Sequence, residues 1–493
     1  MTGHVLAIDI GTSSTKALAV TTDGRVQASH AVAVPLHTPA PGQVEQDPDD
    51  VVRAVAEAAG RVAADVDGDC LATVFSAHMH GVIAVGADGA PLTRCWTWAD
   101  QRALPQAAAL HADGVAAGLH ARTGTPVHAM APLAKLQWLR ANQPETFAAA
   151  RRFVSIKEYV FAAMCGEQVI DHSVASCTGM FDLSALQWDA EALSLAGVEA
   201  DRLSTPAPTT HIARPLPGSG LPDAPVVVGA TDGVLANLGV GAVQPGILAV
   251  TLGTSGAARA ALPSPAADPN GRLFCYALAD REWIVGGAIQ SAGLVVRWLA
   301  ELLGAGEPGA PVEASFDELV GRAAEVPAGA DGLICLPLLA GERFAAWRPD
   351  SSGMFAGLSG RHDSRHMARA VLEGILGCMH TVVRAVEEFT QPADEVRFGG
   401  GFAASPFVRQ MLADVLDRRV TMPASEQSSG LGAARLALRA LGDTTDWTDD
   451  LAHSHEPQPE AAAVYRELVE LQARMYRDSE DLMGELARWR GAP

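Results

Sequence analysis

Four short segments carry residues whose types and spacing can do chemistry. The first is Asp9-Ile10-Gly11-Thr12-Ser13-Ser14-Thr15-Lys16. Gly11 lets the backbone approach a phosphate, Thr12 and Ser13 offer hydroxyl and amide donors, and Lys16 supplies a compact positive charge. Asp9 can hold Mg2+ through water, since that ion dehydrates reluctantly. The second segment, Thr251-Leu252-Gly253-Thr254-Ser255-Gly256, repeats the Gly-Thr-Ser core without a lysine. In the third, Phe398-Gly399-Gly400-Gly401, consecutive glycines let a flat base or ribose lie against the backbone. Ser405-Pro406 then reads as the N-cap and first residue of a helix. The fourth, Gly229-Ala230-Thr231-Asp232-Gly233, sets a carboxylate at the end of an apolar run; by residue type alone it reads first as a turn-forming aspartate before Gly233, and as a proton acceptor for an attacking hydroxyl only second. Each has a plainer alternative: a polar hairpin turn, a tight strand-to-helix connection, or a turn-forming aspartate.

The elements that must position these residues are legible in outline. His4–Ile10 reads as a buried strand, Lys16–Val20 as a second and Arg25–Val34 as a third. This is strand–loop–strand rather than strand–loop–helix, which argues against a Walker or Rossmann phosphate loop. Asp49–Val66 has helical periodicity after Pro48, and Leu71–Ala77 is a strand ending at His78-Met79-His80-Gly81. Residues 104–170 are mostly helical in pattern, and Pro225–Val228 begins a strand that runs into Asp232. Ile247–Leu252 and Ala257–Ala261 flank the second Gly-Thr-Ser turn, as the first two strands flank the first. Two such units half a chain apart suggest two related halves, divided near residue 243. A helix at His366–Phe389, a strand at Glu395–Phe398 and a long helix over 460–489 complete the outline. The last is expected to cap the second half or to form a homodimer contact.

Composition narrows the class of protein. The 493 residues are 48% hydrophobic, enough for a large core and too much for a disordered chain. With 57 Asp+Glu against 36 Lys+Arg the net charge is -21, and such a surface repels phosphate backbones, so a nucleic-acid partner is not expected. Only Lys16, Lys135 and Lys157 are lysines. Seven scattered cysteines without a C-x-x-C fit a reducing cytosol better than a disulfide scaffold or zinc ribbon. Met1-Thr2-Gly3-His4-Val5 does not read as a secretory signal, and no apolar run reaches the ~18 residues of a membrane helix. The expectation is a cytoplasmic protein without membrane contact.

Taken in chain order, Asp9–Lys16, Gly229–Gly233, Gly253–Gly256 and Phe398–Ser405 resemble the motifs of the actin-like ATPases of ribonuclease-H fold and, within them, the FGGY carbohydrate kinases, over about residues 4–440. The resemblance implies an α/β chain of two ribonuclease-H-like domains with a nucleotide and substrate cleft between them. Residues 1–243 would be the sugar-binding domain with the first phosphate motif, and 244–493 the ATP-binding domain with the terminal helix. It implies ATP and Mg2+ as cofactors and a small-molecule sugar acid or polyol as substrate. Asp232 becomes the catalytic base. Gly11, Thr12, Ser13, Lys16, Gly253, Thr254 and Ser255 would hold phosphates, with Gly400, Gly401 and Ser405 beside the nucleotide and Asp9 holding Mg2+ through water. Substrate residues would be Met79, His80, Trp98, Asp100, Arg102 and Asp232. Trp98 offers a ring face and an N–H, Asp100 accepts hydroxyl protons, and Arg102 donates a fork. His362 and His366 read as surface or capping residues, because the Glu of a zinc-protease motif is absent.

Within the family, Val44–Pro48, Met79–Val85, Thr97–Asp100, Thr178–Asp182 and Leu339–Arg343 are most similar to the bacterial gluconate kinases. That similarity implies gluconate as acceptor, and its carboxylate would need a cation, Arg102 or Arg343. Phe344-Ala345 departs from the Ala-Pro pair usual after Gly-Glu-Arg. A kinase of xylulose or another polyol, and an actin-like regulatory ATPase, remain as alternatives.

Overall fold

The computed structural model describes residues 3–304, 312–344, 347–348, 350–425, 427–443, 447 and 451–490. Met1, Thr2 and Ala345 therefore lie outside the described residues. The chain folds as two compact units. One comprises Met1–Val243, Ala261–Val285 and Gln427–Thr448, the other Gln244–Ala260, Gly286–Glu426 and Asp449–Pro493.

In the first unit, Gly3–Ile10, Ser14–Thr21 and Val26–Ala33 form an antiparallel meander. Asp69–Ala77 pairs in parallel with the first strand, and Val226–Thr231 pairs in parallel with Asp69–Ala77. Side chains alternate across the sheet. Ala17 and Ala19 therefore join the core that holds Val51, Val55 and Val62 of the helix Pro48–Asp65. Leu18, on the other face, meets Gly430 of the helix Ser428–Ala440. With helices on both faces the first strand is mostly apolar, and Val5, Leu6, Ala7, Ile8 and Ile10 are buried. Pro48–Asp65 starts where Asp47 accepts the amides of Asp49 and Asp50, with Pro48 at the first helical position.

The helix Asp232–Gly239 crosses Ser428–Ala440 at backbone contact. A Cβ on Gly239 would lie 1.8 Å from the Ser428 carbonyl oxygen, and one on Gly432 1.9 Å from that of Leu235. Glycine at both positions lets the two helices touch.

The second unit repeats the pattern. Ile247–Leu252 and Gly256–Leu262 form an antiparallel hairpin. Glu395–Gly399 pairs in parallel with the first of these, Arg419–Pro423 pairs in parallel with Glu395–Gly399, and Leu451–His455 closes the edge antiparallel. The helix Ser364–Glu387 starts in a reciprocal cap in which Asp363 accepts the His366 amide and the His366 ring accepts the Asp363 amide. His366 is thus a capping residue, as expected. The terminal helix, Pro459–Trp489, buries Tyr465, Val469 and Met483. Its Gln472 amide donates to the carbonyls of Cys335 and Gly374 at 3.2 and 2.9 Å. It caps the second unit, and its outer face leaves Leu471, Leu482 and Trp489 exposed.

Candidate active site

Parallel pairing gathers several of the first unit's expected site residues at one end of the sheet. Ile10 and Thr231 both pair with Ala77, so the Gly11 turn, His78–Gly81 and Asp232 all leave the sheet at the carboxyl ends of adjacent strands. Asp232 opens the helix Asp232–Gly239, where the peptide dipoles favour a carboxylate. Its Oδ1 accepts the Gly233 amide at 2.6 Å. Thr231, fully buried before it, is fixed by Ser173, whose hydroxyl accepts the Thr231 amide at 3.2 Å.

Asp9 sits at the end of the first strand. Its Oδ1 accepts the Ser76 hydroxyl at 2.6 Å and its Oδ2 the Ser429 hydroxyl at 2.7 Å. An ionised carboxylate has about four acceptor sites, so capacity remains for metal-bound water. Mg2+ is commonly held by one or two carboxylates plus substrate phosphates, and Asp9 suits that role. No group of three or more His, Cys, Asp or Glu among the described residues could cage a metal. The turn after Asp9 is closed by the Gly11 amide donating to the Ser14 carbonyl at 3.0 Å, and Lys16, half-buried, is the cross-strand partner of Asp9.

Gln46 ties this turn to the next strand end. Its amide nitrogen donates to the carbonyls of Gly11 and Thr12 at 3.1 and 2.7 Å, and its oxygen accepts His78 Nε2–H at 2.8 Å. Burial pulls the His78 pKa down to about 4, so the ring stays neutral and donates in one direction. Trp98 reaches the same turn, its indole N–H donating to the Thr12 hydroxyl at 3.1 Å. Trp98 and Met79 keep partial exposure.

The other predicted substrate residues are occupied. His80 is buried at a positive φ of 67°, with Nδ1–H donating to the Cys177 carbonyl at 2.7 Å and Nε2 facing the Tyr276 hydroxyl at 3.5 Å. The expectation that Asp100 accepts substrate hydroxyls meets a filled shell. Its oxygens accept the Val44 amide, the Arg102 amide, Arg102 Nε and Arg102 Nη2, at 2.9, 3.1, 2.8 and 2.8 Å. Arg102 is likewise no idle cation. It also donates to Glu45 Oε1 at 2.5 Å and lies over the Trp96 ring at 4.0 Å, with 5% of its side chain exposed. Two carboxylates already balance the guanidinium, which removes the reason to assign it a gluconate carboxylate. Glu45, Gln46, Ser76 and Ser429 were not singled out from sequence. Only the Val44–Pro48 similarity pointed near the first two.

In the second unit, the Gly253 amide donates to the Ser255 carbonyl at 2.8 Å, closing a turn like the first. Thr254 is exposed. Thr251 pairs with Gly399, so the glycine run leaves the sheet beside this turn. Gly400 has φ +86°, and a Cβ there would lie 2.3 Å from the Leu252 carbonyl oxygen, whereas Gly399 and Gly401 face open space. The Ser405 hydroxyl accepts the Val408 amide at 3.3 Å and is thus engaged as the expected N-cap. A cavity of about 280 Å3 in this unit is lined by Leu336, Leu338, Phe344, Thr381 and Tyr476, with Arg343 and Glu342 in its wall. None of the expected nucleotide residues lines it. Burial raises the Glu342 pKa to about 8.

Residues 4–239 match the N-terminal domain model of the FGGY family of carbohydrate kinases, and residues 248–441 match its C-terminal domain model. The chain belongs to the FGGY family of carbohydrate kinases. A gluconokinase of Bacillus licheniformis is 39% identical over 509 residues, 99% of this chain and 98% of that protein. The structure of a gluconate kinase from Lactobacillus acidophilus superposes with a TM-score of 0.93 at 31% identity, covering 99% of this chain and 100% of that one. A ligand-bound xylulose kinase from the same species gives 0.92 at 31% identity, covering 98% and 100%. As an FGGY kinase the chain takes ATP as co-substrate and has the two-domain α/β fold of the actin-like ATPases. No helix among the described residues is long and apolar enough to cross a membrane.

Proposed function

We propose that this FGGY kinase transfers the γ-phosphoryl group of ATP to the terminal hydroxyl of D-gluconate, giving 6-phosphogluconate and ADP. The observation that carries the chemistry is Asp232, a carboxylate at a helix start, at the end of the sheet that also carries Asp9 and the Gly11 turn. The whole-chain likeness to a gluconokinase supports gluconate as acceptor.

Asp232 accepts the proton of the terminal hydroxyl as its oxygen attacks the γ-phosphorus. The bond to the bridging oxygen of ADP breaks, and the proton later leaves Asp232 for solvent. Trp98 and Met79 supply apolar surface for the sugar carbons, held by loops whose buried members, His80, Asp100 and Arg102, shape them rather than bind hydroxyls. Thr12, Ser13 and Lys16 in the first unit, and Gly253, Thr254 and Ser255 in the second, offer donors and charge for phosphate oxygens. Gly401, with open space where a side chain would be, suits the face of the base. Mg2+, held through water by Asp9, would neutralise phosphate charge. Seven free cysteines suit a reducing compartment, and we place the enzyme in the cytoplasm.

The likeness to a xylulose kinase keeps a ketose as the second reading. A coupled ADP-release assay over gluconate, xylulose, glycerol and related polyols separates the two. Turnover dependent on gluconate supports the proposal, turnover on xylulose alone replaces it, and ATP hydrolysis indifferent to sugar points to a regulatory ATPase.

A further inference from the structure

Lys135 is one of three lysines in the chain, lies on the helix Pro132–Asn142, and is 0% exposed. Among the described residues its ammonium touches no carboxylate. Instead Nζ donates to three backbone carbonyls, those of His80 at 2.8 Å, Trp96 at 3.2 Å and Thr97 at 2.7 Å. These belong to two segments, His78–Gly81 and Trp96–Arg102, which meet at the Val82–Trp96 backbone pair and carry every substrate residue expected from sequence except Asp232. A hydrophobic core position does not call for a lysine. A leucine would fill similar volume but leave the His80 carbonyl without its donor, and those of Trp96 and Thr97 with only the Val82 and Asp100 amides, at 3.3 and 3.1 Å.

We propose that Lys135 is a positioning residue for the sugar site, its ammonium clamping the His80 and Trp96–Thr97 backbones so that Met79 and Trp98 are presented in the geometry that binds the acceptor. The clamp contributes to holding His80 at its positive φ of 67°, a left-handed region that a non-glycine residue enters only against steric resistance. It also demands a protonation state. An ammonium has three N–H donors and a neutral amine two, so only the charged form serves all three carbonyls.

Burial works against that form and pulls the Lys135 pKa down to about 7. The neighbouring charges divide. Asp100 favours the ammonium and Arg102 opposes it. Glu45 stands next to this group, paired with Arg102. His78, with its pKa near 4, and Cys95, pushed up to about 12, do not change charge near neutrality. Arg102 is held above its usual value by Asp100 and Glu45. Raising the pH through neutrality therefore removes one N–H from the clamp.

The inference rests on the sugar site lying at these loops. Its test compares Lys135→Met with the wild type, using the acceptor selected by the sugar panel, and measures KM for acceptor and for ATP from about pH 6 to about pH 9. We expect the variant to raise the acceptor KM roughly tenfold or more, equivalent to about 1.4 kcal/mol, with the ATP KM within about twofold. We also expect the wild-type acceptor KM to rise with pH across this range, and the variant to lose that rise. An unchanged acceptor KM, or acceptor and ATP KM rising together, overturns the clamp. If the variant does not fold, the wild-type profile decides, and an acceptor KM flat with pH overturns it. A wild type without gluconate turnover defeats the gluconate reading alone, and the clamp is then judged on the acceptor that does turn over.

Discussion

Replacing Arg102 by Met separates two roles for this guanidinium, a carboxylate partner for substrate or an internal tie. The structure gives it three charge-assisted contacts: Nε to Asp100 Oδ1 at 2.8 Å, Nη2 to Asp100 Oδ2 at 2.8 Å, and Nη2 to Glu45 Oε1 at 2.5 Å. It stacks on Trp96 as well, at 4.0 Å. Removing one partner of a buried ion pair costs about 3–5 kcal/mol, because the charge left behind has lost its compensation. Lost stacking on Trp96 adds about 0.5–2 kcal/mol. Glu45 keeps 10% of its side chain exposed and can draw in water, which trims the total. We expect a loss of about 4 kcal/mol, roughly a thousandfold in the unfolding equilibrium. Two-unit proteins need not unfold in one step. The assay is therefore urea unfolding followed by tryptophan fluorescence, read at the transition that reports Trp96, Trp98 and Trp138, in a cycle with Asp100→Asn and the double variant. Strong coupling between the two sites supports the tie. A loss below about 1 kcal/mol, together with a KM for gluconate raised far more than that for a neutral polyol, would refute it and return Arg102 to the substrate.

Four further outcomes follow from the same structure. Asp232→Asn should leave acceptor binding nearly intact and lower kcat by about 10²–10⁴, and a near-wild-type kcat in the ADP-release assay would remove it as the base. Gly401→Ala meets no protein atom within 4 Å, so thermal unfolding should be unchanged while ATP binding weakens; unaltered nucleotide affinity would displace the base from this glycine. Gly400→Ala, by contrast, must shift the Leu252 carbonyl and should destabilise the second unit by about 1–3 kcal/mol. The His78 pKa is depressed from 6.5 to about 4. Its contribution is full above about pH 6.5 and is lost as pH falls towards about 4, by an amount on the order of 3 kcal/mol. Denaturant titrations across that window should show the slope in the wild type and lose it in His78→Gln; identical slopes would refute it.

The fold was legible because each repeated segment states its own local physics. Short apolar runs bounded by Gly-Thr-Ser turns read as buried hairpin strands, and their recurrence suggested two related units. Helix starts were equally plain at Pro48 and at Ser405-Pro406, where capping chemistry is local. Chain order was less informative about membership. Ala261–Val285 and Gln427–Thr448 join the first unit although they follow the start of the second, because sheet pairing and helix packing do not respect sequence distance.

The sequence by itself determined the residue types offered for chemistry: an aspartate after an apolar run, hydroxyl-bearing turns, and a run of glycines. Those are local properties, set by which donors, charges and backbone freedoms a short segment contains. Only the tertiary structure decided which of these groups have capacity left. Asp100 and Arg102 look like sugar ligands in a sequence, yet Val44 and Glu45, more than fifty residues away in the chain, engage them in the fold. Ser429 reaches Asp9 across 420 positions. Lys135, which the sequence marked only as rare, finds three carbonyls on two loops. Whether a polar group is free or spent depends on its partners, and partners are a property of packing.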